Sequence, residues 1–486
     1  MGQTILQHLV RIRTRPCDGR CLRDLHAFGY DSDMDFQNTV GNWPFKLPEL
    51  AHRLLVNRGQ KADILRGFEG LIKPGEMVCV LGPPGSGCST LLKTISGDTH
   101  GLNIGEESKL NYNGILPETP RSIFRGEAIY TVEVDKQHPM LSVEMEFYFT
   151  APARTPYSLP SGISREQYAS HMRDVVMSQL GILHIRTTKV GNDFVRGVSG
   201  GERKRVAIAE ATLSGAPLQC WDNSTRGLDS ANVIEFCRTL RTLPTVFSVT
   251  SLAAIYQAPR SAYHVFDKVC VLYEGRQIYF GPASEVQGYL ERLGFLCPEG
   301  MSTPDFLTSM SSEDQRTPLP GLEHIVPRTS DDFVKAWVRS AERKLLIGQI
   351  SEYNAEYPPM SQAHQRFAEQ RRLQKSRKQR VRSPYTMSYW RQIQLCLWRD
   401  WQRLKADPSV PVVMLAMNLT EAVVVAPIFF DLDETTSNFY ARGAAIFVLI
   451  FSTRLVPFWR LSDSTRNATS SRSKNDMCCT TQARKH

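Results

Sequence analysis

Apolar residues come in short blocks through the first 300 positions and merge into one long run near position 420. Residues 77–81 form an unbroken apolar block of strand length, followed by a glycine-rich loop and a helical stretch over 89–95. Further strands are predicted over 128–132, 218–222 and 245–250, the last ending near Ile255-Tyr256-Gln257. Residues 268–273 and 276–280 read as a strand–turn–strand through Glu274-Gly275. Residues 63–72 read as a strand pair turning at Gly67 or Gly70, and 110–114 as a short strand and turn. Helices are predicted over 164–181, with Tyr168, Met172, Val175, Val176 and Leu180 on one face, and over 283–293. The pattern is of the α/β class. Towards the C-terminus, Trp390, Ile393, Leu397, Trp401 and Leu404 recur at three and four residues, with Tyr385, Tyr389 and Trp398 added. Such an aromatic amphipathic helix over 385–407 belongs at a lipid headgroup boundary. Residues 410–430 then supply 21 mostly apolar positions, enough to cross a hydrocarbon core of about 30 Å.

Composition narrows this picture. The 486 residues suffice for about three domains, and 42% hydrophobic with 22% charged residues describes a chain that is globular in bulk. The net charge of +9 would suit nucleic acid, but the position of the charges argues otherwise. Arg366, Arg371, Arg372, Lys375, Arg377, Lys378, Arg380 and Arg382 face only Glu369 and lie just ahead of the headgroup helix. The implied partner is a lipid bilayer and not a nucleic acid. The eleven cysteines lack C-x-x-C or zinc spacing, so reduced thiols are expected. Residues 5–10 are too short and too polar for a secretory signal, and 1–35 read as a disordered tail.

Three stretches carry chemistry. Residues 82–89, Gly-Pro-Pro-Gly-Ser-Gly-Cys-Ser, match G-x-x-x-x-G-K-[ST] everywhere except Cys88, where lysine is wanted. Gly82, Gly85 and Gly87 let the backbone aim N–H groups at phosphate oxygens, with Ser86, Cys88, Ser89 and Thr90 completing the cradle. The helix N-terminus favours an anion, and the Ser89 hydroxyl is placed to ligate magnesium. In the second stretch Ser199 caps a helix, Glu202 closes a capping box, and Gly200 and Gly201 leave that N-terminus bare for an anion. In the third, a short buried strand delivers Asp222, a carboxylate able to hold magnesium, just before Gly227, Leu228 and Asp229.

Together these stretches resemble the nucleotide-binding domain of ATP-binding cassette (ABC) transporters. V-S-G-G-E-R-K-R, W-D-N-S-T-R-G-L-D-S and I-Y-Q-A-P point further, to the fungal pleiotropic drug resistance group of the G subfamily. The resemblance implies a P-loop cassette with a RecA-like core, an antiparallel β subdomain and a helical subdomain. It assigns residues 36–300 to the cassette, with the helical subdomain at about 138–215. A polar and basic connector over 301–384, the interfacial helix over 385–407 and a transmembrane region over 408–458 would follow. ATP with Mg2+ is the implied cofactor. The implied partners are a second cassette, which shares its ATP across the signature Ser199-Gly200-Gly201-Glu202 and the D-loop Gly227-Leu228-Asp229, and a small hydrophobic substrate. The implied location is the plasma membrane, with the cassette in the cytosol.

Four positions depart from a hydrolytic cassette. Cys88 removes the lysine that would contact the β- and γ-phosphates. Asn223 stands where the resemblance puts the catalytic glutamate, Tyr256 where it puts the switch histidine, and Glu133 in place of the magnesium-sensing glutamine. An amide cannot take a proton from water, so general-base help worth about 10²–10⁴-fold is missing. The expectation is ATP binding without hydrolysis at this loop, while the intact signature completes a partner's site. Asn418 and Glu421 interrupt the 410–430 span, and a partial span over 443–458 is broken by Arg454, Pro457 and Arg460. Residues 459–486 lack apolar period and read as a disordered, atypical tail of a truncated chain. The alternative readings are an ATP- and partner-binding chain without transport activity, or a soluble cassette acting on ribosomes or DNA.

Overall fold

The computed structural model describes residues 20–30, 61–99, 102–114, 126–132, nearly all of 137–358, scattered positions over 365–376, 386–430 and most of 439–447. Glu133 and Gln257, the tail over 459–486 and most of the partial span over 443–458 lie outside the described residues. The described residues fall into two compact units, those up to Leu395 and those from Cys396 on.

In chain order, the first unit begins with β1 (Arg20–Tyr30), β2 (Lys61–Ile72), β3 (Met77–Leu81), α1 (Cys88–Ser96), β4 (Asn103–Ile104), β5 (Lys109–Asn111) and β6 (Ala128–Thr131). Helices α2 (Val143–Arg154), α3 (Arg165–Gln179) and α4 (Gly200–Leu213) follow, started by Ser142, Ser164 and Ser199, whose side chains each accept an N–H of the first turn. Then come β7 (Leu218–Asp222), α5 (Ser230–Phe247), β8 (Thr250–Ala254), α6 (Arg260–Tyr263), β9 (Lys268–Tyr273), β10 (Arg276–Pro282) and α7 (Val286–Arg292). The strands lie in the order β4-β1-β2-β10-β9-β3-β8-β7-β6, with β5 also on β1. The run β9-β3-β8-β7-β6 is parallel throughout, and β3, β7 and β8 are buried at every position, as a sheet covered on both faces requires. β1 pairs antiparallel with β2, β4 and β5, forming the other end of the sheet.

Several expectations are corrected. The presumed tail over 1–35 contains β1, whose Cys21, Leu22, Leu25 and Ala27 are buried against β2. Residues 63–72 are not two strands: β2 is continuous, and Gly67 (φ +63°) absorbs a register shift against β1 between Leu25 and Ala27 instead of making a turn. Residues 245–247 end α5, not a strand; the strand starts at Thr250.

The largest correction concerns the connector over 301–384. It holds α8 (Thr303–Ser309), α9 (Ser330–Arg339) and α10 (Ala341–Glu356), and these pack onto the cassette beyond its expected limit at 300. Phe333, Trp337, Leu346, Ile350 and Tyr353 are buried, each worth roughly 1.5–3 kcal/mol of apolar burial. Arg343 of α10 forks onto the buried Glu69 of β2, Nε to Oε2 at 2.7 Å and Nη2 to Oε1 at 2.9 Å. Asn354 accepts from Asn111 Nδ2 at 2.8 Å, and Tyr353 OH accepts the Asn113 backbone N–H at 3.2 Å.

Helix α11 (Tyr389–Ala406) straddles the boundary in sequence and exposes Trp390, Leu397 and Trp401. α12 (Ser409–Ile428) is the one described helix long and apolar enough to cross a membrane, and none of Pro411–Ile428 is buried. Within it the Thr420 hydroxyl donates back to the Ala416 carbonyl at 2.8 Å, which satisfies that polar group inside the apolar run.

Candidate functional site

The phosphate loop joins β3 to α1, and its three glycines have separate tasks. A Cβ on Gly82 would strike Ser86 Oγ and approach Leu272 O to 2.8 Å, so the loop can close only without one. Gly85 (φ +85°) turns the chain, while Gly87 (φ +91°) turns it into the helix with Leu65 Cδ2 only 2.8 Å from where a Cβ would stand. No side chain caps the first turn of α1, which leaves its N–H dipoles for an anion. Ser86 is buried, its N–H donating to Pro83 O at 3.0 Å and its carbonyl accepting the Gly275 N–H of the β9–β10 turn at 3.1 Å. Cys88 Sγ lies 3.4 Å from Ser86 Oγ. Burial pushes its thiol up to about 11, Ser86 offsetting part of the rise and the Asp222 charge adding to it, so position 88 is neutral at physiological pH. Ser89 and Thr90 stand half-buried in the same first turn.

Asp222 ends β7 almost wholly buried. Its Oδ2 accepts the Tyr130 hydroxyl at 2.5 Å, and its Oδ1 has no hydrogen-bond partner among the described residues. Burial and the Asp222 carboxylate push the Tyr130 phenol up, so it stays the donor. Lys93 of α1 places Nζ 5.5 Å over the Tyr130 ring. Asn223, in left-handed backbone (φ +42°), leaves β7 with its N–H on Ala254 O at 3.1 Å. Tyr256, 52% exposed, follows β8, so both residues leave adjacent parallel strands at the edge where β3 enters the phosphate loop.

The signature stretch forms a second cluster. Ser199 caps α4, its N–H and Oγ both donating to Glu202 Oε2 at 2.9 Å, while the Glu202 N–H donates to Ser199 Oγ at 3.3 Å. The Ser199 N–H holds the Glu202 carboxyl below its ordinary range, with Ser199 Oγ and His184 (Nε2 to Oε1, 3.0 Å) assisting. Ser199 and Gly200 are exposed and Gly201 half-buried. A Cβ on Gly200 would stand 3.7 Å from Leu228 Cδ2, and one on Gly201 would strike Asn232 Oδ1. Asn232 in turn donates to Asp229. Signature and D-loop are thus packed into one surface, with Gly227 (φ +77°) turning the chain ahead of Leu228.

Sequence reasoning missed Tyr130, Asn232 and the Gly275 contact. Each depends on strands or helices that meet only in the fold, and no local pattern marks them. The residues fit a nucleotide phosphate and a divalent cation: the loop is a cradle that a Cβ would fill, and Asp222 Oδ1 is a buried carboxylate oxygen without a partner.

Residues 65–226 match the ABC transporter family. The fold and site therefore define residues 65–226 as an ATP-binding cassette of the ABC transporter family. Over most of its length the chain is similar to fungal ABC multidrug transporters. It is 56% identical over 432 residues to ABC multidrug transporter F of Aspergillus fumigatus, covering 89% of this chain and 29% of that protein. It is 51% identical over 432 residues to ABC-type transporter oblD of Cochliobolus heterostrophus, with the same coverage. To ABC multidrug transporter AFR2 of Cryptococcus neoformans it is 50% identical over 432 residues, 89% of this chain and 28% of that one. The chain thus spans under a third of the length of these relatives. Among solved structures, cbiO1 from Clostridium perfringens, part of the ABC transporter complex cbiONQ, is 24% identical with a TM-score of 0.40, covering 49% of this chain and 89% of that one.

Proposed function

We propose that this chain is the ATP-binding half of an exporter of the pleiotropic drug resistance type, driving efflux of small hydrophobic compounds across the plasma membrane when assembled with a second cassette. Its own phosphate loop holds ATP with Mg2+ on Ser89, Asp222 and Glu133 but does not hydrolyse it. Its signature, Ser199 to Glu202, completes the partner's site. The observation that supports this best is a mismatch between the two clusters. The phosphate site has a neutral thiol at 88 and an amide at 223, whereas the signature helix start is capped and exposed. The names of the relatives support the transport role, and α12 supports a membrane location.

The test uses the full chain in lipid nanodiscs. ATP binding without phosphate release is expected alone, and phosphate release on adding a competent second cassette, lost again with Ser199→Arg. Hydrolysis by the unaltered chain alone at ordinary cassette rates would overturn the silent-site reading. A second reading keeps the ATP and partner binding but not the transport. Vesicles that show partner-dependent phosphate release without substrate accumulation would favour it.

A further inference from the structure

Among the described residues the Tyr130 hydroxyl is the one side-chain partner of a carboxylate that the nucleotide site needs for its cation, and the pairing follows from the sheet. β6 and β7 run parallel with Tyr130 opposite Cys220, so the phenol reaches two residues along the neighbouring strand to Asp222. Both side chains are buried, Tyr130 at 9% and Asp222 at 5% exposure. The hydroxyl occupies Oδ2 and leaves Oδ1 as the oxygen with no hydrogen-bond partner among the described residues. A carboxylate free to rotate could offer either oxygen in several directions; one pinned through Oδ2 offers Oδ1 in one direction. Lys93 Nζ lies 5.5 Å over the face of the same ring, a cation–π contact that adds to its fixation. Position 88 is a cysteine and brings no ammonium to share in orienting Asp222.

We infer that Tyr130 is a positioning residue for magnesium: by holding Asp222 Oδ2 it aims Oδ1 at the cation that accompanies the bound nucleotide. Hydrogen bonds behind a ligating carboxylate set its orientation, and their removal typically costs about 10–100-fold in metal affinity. The assignment rests on the reading that this loop binds ATP with a divalent cation.

The experiment loads the full-length chain with ATP and titrates Mn2+ by electron paramagnetic resonance, alongside ATP binding measured in EDTA. Tyr130→Phe removes one hydroxyl and keeps the ring in place. Its Mn2+ affinity should fall about 10–100-fold while ATP binding in EDTA stays within twofold. On an Asp222→Asn background the same substitution should change Mn2+ affinity by less than twofold, because the residue acts through that carboxylate. Mn2+ affinity within threefold of the unaltered chain would overturn the assignment. Loss of ATP binding in EDTA by Tyr130→Phe would also overturn it, marking the hydroxyl as part of the fold. If the unaltered chain takes up no ATP with or without Mn2+, the nucleotide reading itself fails.

Discussion

Replacing Cys88 by lysine tests the phosphate loop most directly. With its thiol pushed up to about 11, position 88 is neutral at pH 7 and never carries a positive charge. The thiol meets Ser86 Oγ at 3.4 Å, a weak sulfur hydrogen bond within the loop that does nothing for phosphate. A lysine leaving the same first turn of α1 would add one charge-assisted bond to phosphate, worth about 1.5–3 kcal/mol. That converts to roughly ten- to a hundredfold tighter ATP. Titrating a fluorescent ATP analogue onto the full chain and onto Cys88→Lys, in Mg2+ at fixed salt, measures it. Phosphate release should not rise with affinity, because Asn223 still offers no base. Equal affinities within twofold would refute the reasoning, since the phosphates would then not pass over this turn.

Other outcomes follow from single contacts. Arg343→Met strands the buried Glu69 carboxylate and should cost about 3–5 kcal/mol in urea unfolding of the first unit; a loss under 1 kcal/mol would show that α10 is held by its apolar face alone. Gly275→Ala would drive a Cβ onto the Ile64 carbonyl at φ +74°, and roughly 2–5 kcal/mol of combined strain and crowding should weaken ATP binding as well as stability. Gly201→Ala would displace Asn232 from Asp229, and should lower partner-stimulated phosphate release while leaving ATP binding to this chain unchanged. Glu144 is held below 4.5 chiefly by Arg186, so its contribution to stability is full above that pH and fades as pH falls further. The difference in unfolding midpoint between the parent and Glu144→Gln should therefore shrink below pH 4.5, and a constant difference would count against the pairing.

What was legible in the sequence was local. The block 77–81 with its glycines, and Ser199 three residues before Glu202, each carry their structure within a dozen positions, and β3, α1 and the α4 cap appear where local rules put them. The block 218–222 likewise delivers Asp222 buried. What stayed hidden depends on distant partners. β1 is a strand because β2, some forty positions on, accepts its ladder, and nothing within 20–30 announces that. Residues 330–356 look like polar linker because only Phe333, Trp337, Leu346, Ile350 and Tyr353 turn inward, too sparse a stripe to outweigh the charges between them. At 245–247 Pro244 lies inside α5, against the rule that proline ends a helix, and the strand prediction was displaced by those few residues.

The attachment of α9 to the β9–β10 turn has a practical edge. Ser330 donates to Glu274 at 2.7 Å and Asp331 meets Arg276 at 2.6 Å, while the Gly275 between them hands its N–H to Ser86. Anyone excising this cassette at the last recognisable motif would strip its roof and slacken the phosphate loop. The smallest autonomous piece should run to Tyr357, where the backbone N–H still closes onto Tyr353.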